Sequence, residues 1–143
     1  MKAKRGFTLV EVLVVVTVLG VLAAIVVPQF REVSAEAKTS TLCADLRTMR
    51  VAIELYRIHH KWNQPGTVAG VSFEQALTEK TEADGTLNPA GRCGPYVQKI
   101  PTNPFNNLAT VEVDGVLGGG DHGWDLATST GQFHADTDDH LSL

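Results

Sequence analysis

The chain is poor in the residues that most enzymes rely on. Its 143 residues hold two cysteines, Cys43 and Cys93, and no C-x-x-C pair. No G-x-S-x-G, H-E-x-x-H or P-loop sequence occurs, so the common nucleophilic, zinc and phosphate-binding signatures are missing. Positive charge is also scarce, with 12 Lys and Arg against 16 Asp and Glu and a formal net charge of -4. That balance disfavours a nucleic-acid partner, whose phosphates require a basic footprint. Gly118-Gly119-Gly120-Asp121-His122-Gly123 fits G-x-G-x-x-G on paper, but the 20 residues after it have strand character. A dinucleotide site needs a strand before the glycines and a helix opening at them, so no cofactor is expected from this motif. The chain therefore reads as a non-enzyme.

Residues 7–27 form an apolar run of 21 residues, which would span about 31 Å as a helix, close to the ~30 Å of a bilayer core. One acid, Glu11, interrupts it. A carboxylate in such a span costs about 2 to 3 kcal/mol even on lenient scales, so a functional role is expected for it. Lys2, Lys4 and Arg5 precede the run, and no comparable cluster follows it. The positive-inside rule then puts the N-terminus in the cytoplasm and the remainder across the membrane. A plain secretory signal cut near Val21-Leu22-Ala23 is disfavoured by the length of the run and by the acid within it.

The basic leader, Gly6 before Phe7, Thr8-Leu9-Val10-Glu11 and the unbroken apolar segment together resemble the N-terminus of the type IV pilin superfamily, which includes the pseudopilins of type II secretion. The resemblance implies cleavage after Gly6, N-methylation of Phe7 by a prepilin peptidase and methyltransferase, and a role for Glu11 in assembly. It implies self-association into a helical filament with other minor pilins or pseudopilins, built on an inner-membrane platform. In type II secretion such a filament supports protein export. In type IV pili it serves adhesion, motility or DNA uptake. A membrane-tethered binding module that never polymerises is the alternative.

Three segments are expected: a cleaved leader over residues 1–6, a transmembrane and filament-core helix over 7–28, and a periplasmic or extracellular head over 29–143. The fold class is α+β, a long N-terminal helix on a small antiparallel sheet. Gln29 to Trp62 contains no proline or glycine, so the helix is expected to reach residue 62, with Gly20 and Pro28 as weak points. Leu42, Leu46, Met49, Ile53 and Tyr56 recur at spacings of 4, 3, 4 and 3, which marks one apolar face for packing on the head. Lys61, Asn63, Pro65 and Gly66 supply a stop. Ser72-Phe73-Glu74-Gln75 predicts a capped short helix over residues 72–80. Residues 91–105 are too rich in proline and glycine for regular structure, and their Gly-Pro-Tyr, Pro and Asn-Pro-Phe elements are similar to the pattern before the sheet in pseudopilin-type proteins. Strands are predicted over 109–113, 123–127 and 132–135, and residues 136–143 read as a frayed acidic tail.

Two further expectations concern the head. A bond between Cys43 and Cys93 would close a loop of about 50 residues, worth about 3 to 4 kcal/mol in the chain-entropy model. Alternatively, Cys43 is a buried small apolar residue and Cys93 a loop thiol. The aspartates from Asp114 through Asp121 and Asp125 to Asp136, Asp138 and Asp139, interleaved with glycine, offer oxygen ligands for calcium, which some major pseudopilins bind in C-terminal loops. The glycine-flanked series is shorter here, and surface acids are the alternative. His59 and His60 suit the negative pole of the helix, and His122, His134 and His140 read as surface residues.

Overall fold

The computed structural model describes residues 7–137, with the side chains of residues 27–33 outside the description. The leader with Gly6, and Asp138, Asp139 and His140, lie outside the described residues. The chain divides into two compact units, one ending at Ala37 and the other beginning at Lys38.

Helix α1 runs over Leu9–His59, 51 residues, and passes through Gly20 and Pro28 without interruption. Neither weak point breaks it in the isolated chain. Its end falls at His59, earlier than the proline and glycine signals suggest. The Trp62 N–H donates to the Arg57 carbonyl at 2.7 Å while Lys61 and Trp62 take left-handed φ values of 55° and 70°. This is the 6→1 closure of a Schellman end, made here with a lysine where glycine is usual. The Arg57 guanidinium lies 5.4 Å from the Trp62 ring centroid, a cation–π contact that helps hold this turn.

In the second unit the expected face of α1 is the core. Leu42, Leu46, Met49, Ile53 and Tyr56 are all buried, packed with Phe73, Ala76 and Leu77 of helix α2 (Phe73–Thr78) and with Ile100, Trp124, Leu126, Phe133 and Ala135. Phe133 stacks between Trp124 and Phe73, with centroids 5.6 and 5.9 Å away. Helix α2 starts as its sequence requires: the Gln75 N–H donates to the Ser72 hydroxyl and the Ser72 N–H to the Gln75 side chain, both at 3.1 Å.

Strands β1 (Val111–Val113), β2 (Trp124–Ala127) and β3 (Gln132–Ala135) form one sheet in the order β1-β2-β3. The expected all-antiparallel pairing is corrected at one edge. β2 and β3 are an antiparallel hairpin, but β1 runs parallel to β2, with Val111 opposite Trp124. The reason lies in residues 114–123, which return the chain to the end of the sheet from which β1 started, as a parallel neighbour demands. Gly118 and Gly120, at φ values of 77° and 78°, allow the sharp turns in this return.

The proline-rich loop is pinned by polar contacts. Asn103 is fully buried; its Nδ2 donates to the Gly123 carbonyl at 2.8 Å and its Oδ1 accepts from the Phe105 N–H at 2.9 Å. Trp124 Nε1 donates to the Pro101 carbonyl at 2.8 Å. The Asn-Pro-Phe element therefore ties the loop to the start of β2.

Candidate functional site

The first candidate site is the start of α1. Over Leu9–Val26 the mean hydropathy is 2.9 and none of the segment is buried within the chain. Such a surface is not tolerated in water at this size, so its burial must come from lipid or from other chains. Glu11 sits in the first turn. The Thr8 backbone N–H and hydroxyl both donate to Glu11 Oε2 at 3.3 Å, and the Glu11 N–H donates to the Thr8 hydroxyl at 3.3 Å. These contacts form a capping box, in which the carboxylate satisfies donors that the first turn would otherwise leave open. The local geometry places the carboxylate in the first turn, at the positive pole of the helix.

Thr8 was not singled out by the sequence reading, although the signal was present. Thr8-Leu9-Val10-Glu11 has the same S/T-x-x-E/Q spacing as Ser72 and Gln75. Phe7 is exposed ahead of the helix, and Gly6 lies outside the described residues. Pro28 and Gly20 are helical, and a Cβ added at Gly20 would meet nothing within 4 Å, so that glycine makes no close contact within the chain.

The second candidate site is the acidic loop between β1 and β2. Asp114, in a left-handed conformation at φ 58°, accepts from the N–H and the hydroxyl of Thr128, and these bonds hold its carboxyl below the usual range. Asp125 is buried on β2; its Oδ2 accepts from the Gly118 N–H at 3.3 Å and its Oδ1 has no hydrogen-bond partner among the described residues. Burial, aided by the neighbouring Asp136 and Glu112, pushes its carboxyl up to about 6, against the Gly118 bond and His122. Asp121 is exposed. Among the described residues no group of three or more His, Cys, Asp or Glu side chains is placed to hold a metal ion.

Asp136 corrects the frayed-tail expectation at its first residue. It is buried, and its two carboxylate oxygens accept from the N–H groups of Gly120 and His122, each at 2.8 Å. The acids here fold the loop more than they decorate it. His60 is likewise buried rather than set out at the helix pole. Its ring stacks on Tyr56 at 3.8 Å, with Nδ1 2.8 Å from the Tyr56 carbonyl and Nε2 2.9 Å from the Thr81 hydroxyl. Position next to the helix end hid this role.

The disulfide expectation is also corrected. Cys43 and Cys93 are free thiols, Cys43 exposed on α1 and Cys93 partly covered. The Cys93 backbone exchanges two hydrogen bonds with Thr81, at 2.9 and 3.1 Å. The alternative of a buried Cys43 fails too, because that side chain is exposed on the helix.

Comparison with known proteins bears on both ends of the chain. Residues 1–27 match the family described as prokaryotic N-terminal methylation motif. Type II secretion system core protein G of Pseudomonas aeruginosa is 30% identical over 139 residues, covering 87% of this chain and 94% of its own length. The protein of the same description from Escherichia coli is 31% identical over 144 residues, covering 97% of this chain and 90% of its own. A fimbrial protein of Pseudomonas aeruginosa is 31% identical over a shorter stretch of 87 residues, 60% of this chain and 56% of its own length. No solved structure gives a significant match.

Proposed function

This chain belongs to the family of the type II secretion system core protein G, and from that membership we propose how its two ends work as a pseudopilin, a structural subunit of a pilus-like filament that supports protein secretion. The precursor is held in the inner membrane by residues 7–28, with the leader in the cytoplasm and the head in the periplasm. Prepilin peptidase cuts after Gly6 and methylates Phe7. The mature subunit then joins copies of itself and other pseudopilins at the inner-membrane platform. Its role is mechanical rather than catalytic. The observation that carries this reading is the wholly exposed apolar half of α1 with one carboxylate at its start.

The physical chemistry of that end supplies the mechanism. Cleavage creates a positive amino group on Phe7, four residues before Glu11 and about 6 Å away along a helix. In an apolar filament core an unpaired charge is expensive, and removing one partner of such a pair costs about 3 to 5 kcal/mol. Glu11 of one subunit neutralises the Phe7 amino group of its neighbour, which sets the axial register of the filament. The Thr8 bonds keep the carboxylate at the helix start in the meantime. A type IV pilus subunit is the alternative, and the longer coverage by the secretion relatives favours the pseudopilin.

Intact mass of the membrane-extracted protein tests the processing step. A chain beginning at N-methylated Phe7 is expected. A mature start at Met1 or Ala24 would overturn the reading.

A further inference from the structure

Helix α1 has a second apolar face in the head. Val51, Leu55, Ile58 and Trp62 recur at spacings of 4, 3 and 4 and are 64%, 42%, 58% and 62% exposed. Val51, Leu55 and Ile58 lie on the side of the helix opposite Leu42, Leu46, Met49, Ile53 and Tyr56, which fill the core, and Trp62 follows in the turn after the helix end. A domain needs one apolar face per helix to bury a core, and a second, exposed apolar face marks an interaction surface. Its rim is mainly basic. Arg47, Arg57 and Lys61 belong to the same stretch of chain; Glu54 is paired with Arg57 at 2.7 Å, and the Thr86 hydrogen bonds, with a smaller contribution from Lys61, hold the Asp84 carboxyl below its usual range.

The same head carries a surface of complementary character. Val116 and Leu117, at the tip of the loop between β1 and β2, are 77% and 49% exposed. Around this tip stand Glu112, Asp114 and Asp121, with His122 3.8 Å from Glu112 as the nearby base. The tip is held in shape by the buried carboxylates of Asp125 and Asp136, which accept from the Gly118, Gly120 and His122 N–H groups. It is an apolar knob with an acidic rim on a fixed loop.

We infer that the Val116-Leu117 tip of one copy of this chain docks on the Val51, Leu55, Ile58 and Trp62 face of the next. The occupant is a second copy because apolar character and charge both match between two surfaces of one molecule. Two different patches meeting form a heterologous contact, which repeats without closing into a dimer and so generates an open helical array. The inference rests on the filament reading and adds a head-to-head contact to it.

Cysteine crosslinking of the full chain, in cells carrying the whole assembly machinery, tests this. In a Cys43→Ala, Cys93→Ala parent, Ile58→Cys with Val116→Cys should give oxidised dimers and higher ladders about tenfold above either single variant, since a heterologous contact needs one residue from each surface. Val116→Asp, at an exposed position, should cut sheared-fibre yield several-fold without moving the melting temperature. Equal crosslinking by Ile58→Cys alone would mean that like faces meet, and would overturn the inference. Normal fibres with no crosslink in the double variant would overturn the contact and leave the filament standing. Absence of fibres from the cysteine-free parent would remove the filament reading and this inference with it.

Discussion

The first and second halves of helix α1 are built from similar apolar residues and meet opposite fates. Leu9–Val26 is exposed on every side, whereas Leu42, Leu46, Met49, Ile53 and Tyr56 vanish into the chain's own core. Pattern makes the difference. The first half is apolar around its whole circumference, so no single face is offered to a domain, and its burial must come from lipid or neighbours. The second half separates its residues by face, one toward the sheet and charged positions such as Asp45, Arg47 and Glu54 elsewhere. Stability of the head should therefore be insensitive to the first half, and assembly should depend on it.

The largest expected effect breaks this comparison in the core. Phe133→Ala removes the ring between Trp124 and Phe73 and should lower head stability by about 3 to 5 kcal/mol. Leu13→Ala, in the first half, should change it by less than about 0.5 kcal/mol. Urea unfolding of the detergent-solubilised chain, followed through tryptophan fluorescence, compares the two. Equal losses would mean that the first half is part of the head's core.

Next comes the buried acid of the loop. Burial pushes the Asp125 carboxyl up to about 6 in the folded head, above the ordinary value of about 3.9. A raised acid pKa penalises the folded state fully above pH 6, and the penalty fades as pH falls through 6 toward 4. Asp125→Asn keeps an acceptor for the Gly118 N–H, and it should stabilise the head by about 1 to 2 kcal/mol at pH 7 and flatten its stability between pH 7 and 5. Melting curves across that range, with chelator present, measure this. Millimolar calcium in place of the chelator tests the cation expectation: a rise in the wild-type midpoint alone would assign a cation to Asp125 Oδ1, and no shift would leave only surface acids.

The smallest effect concerns the thiols. Cys43 should react with a thiol reagent in the native head faster than Cys93, and Cys43→Ser should shift stability by less than about 0.5 kcal/mol. A native protein without free thiols would restore the bridge.

Much of this molecule was legible in its residues where one local rule sufficed. The apolar run, the stripe from Leu42 to Tyr56, the capping box at Ser72 and the hairpin after β2 follow from periodicity and turn chemistry. What escaped depends on partners far along the chain. The parallel β1 edge is set by the path of residues 114–123, the burial of Asp136 by amides 14 and 16 residues earlier, and that of His60 by Thr81. Thr8 is the exception, since its Thr-x-x-Glu spacing with Glu11 is a local capping signal.

That last point supplies the most direct test of the central claim, that the charge of Glu11 and not its cap drives assembly. Glutamine at the same position can complete a capping box with Thr8 but carries no charge. Fibres sheared from cells expressing Glu11→Gln should be nearly absent, as for Glu11→Ala, while the variant still inserts and is cut after Gly6; Glu11→Asp should be impaired less, and Thr8→Ala should be near normal. Normal fibres from Glu11→Gln would contradict the claim and leave the carboxylate with a structural role only.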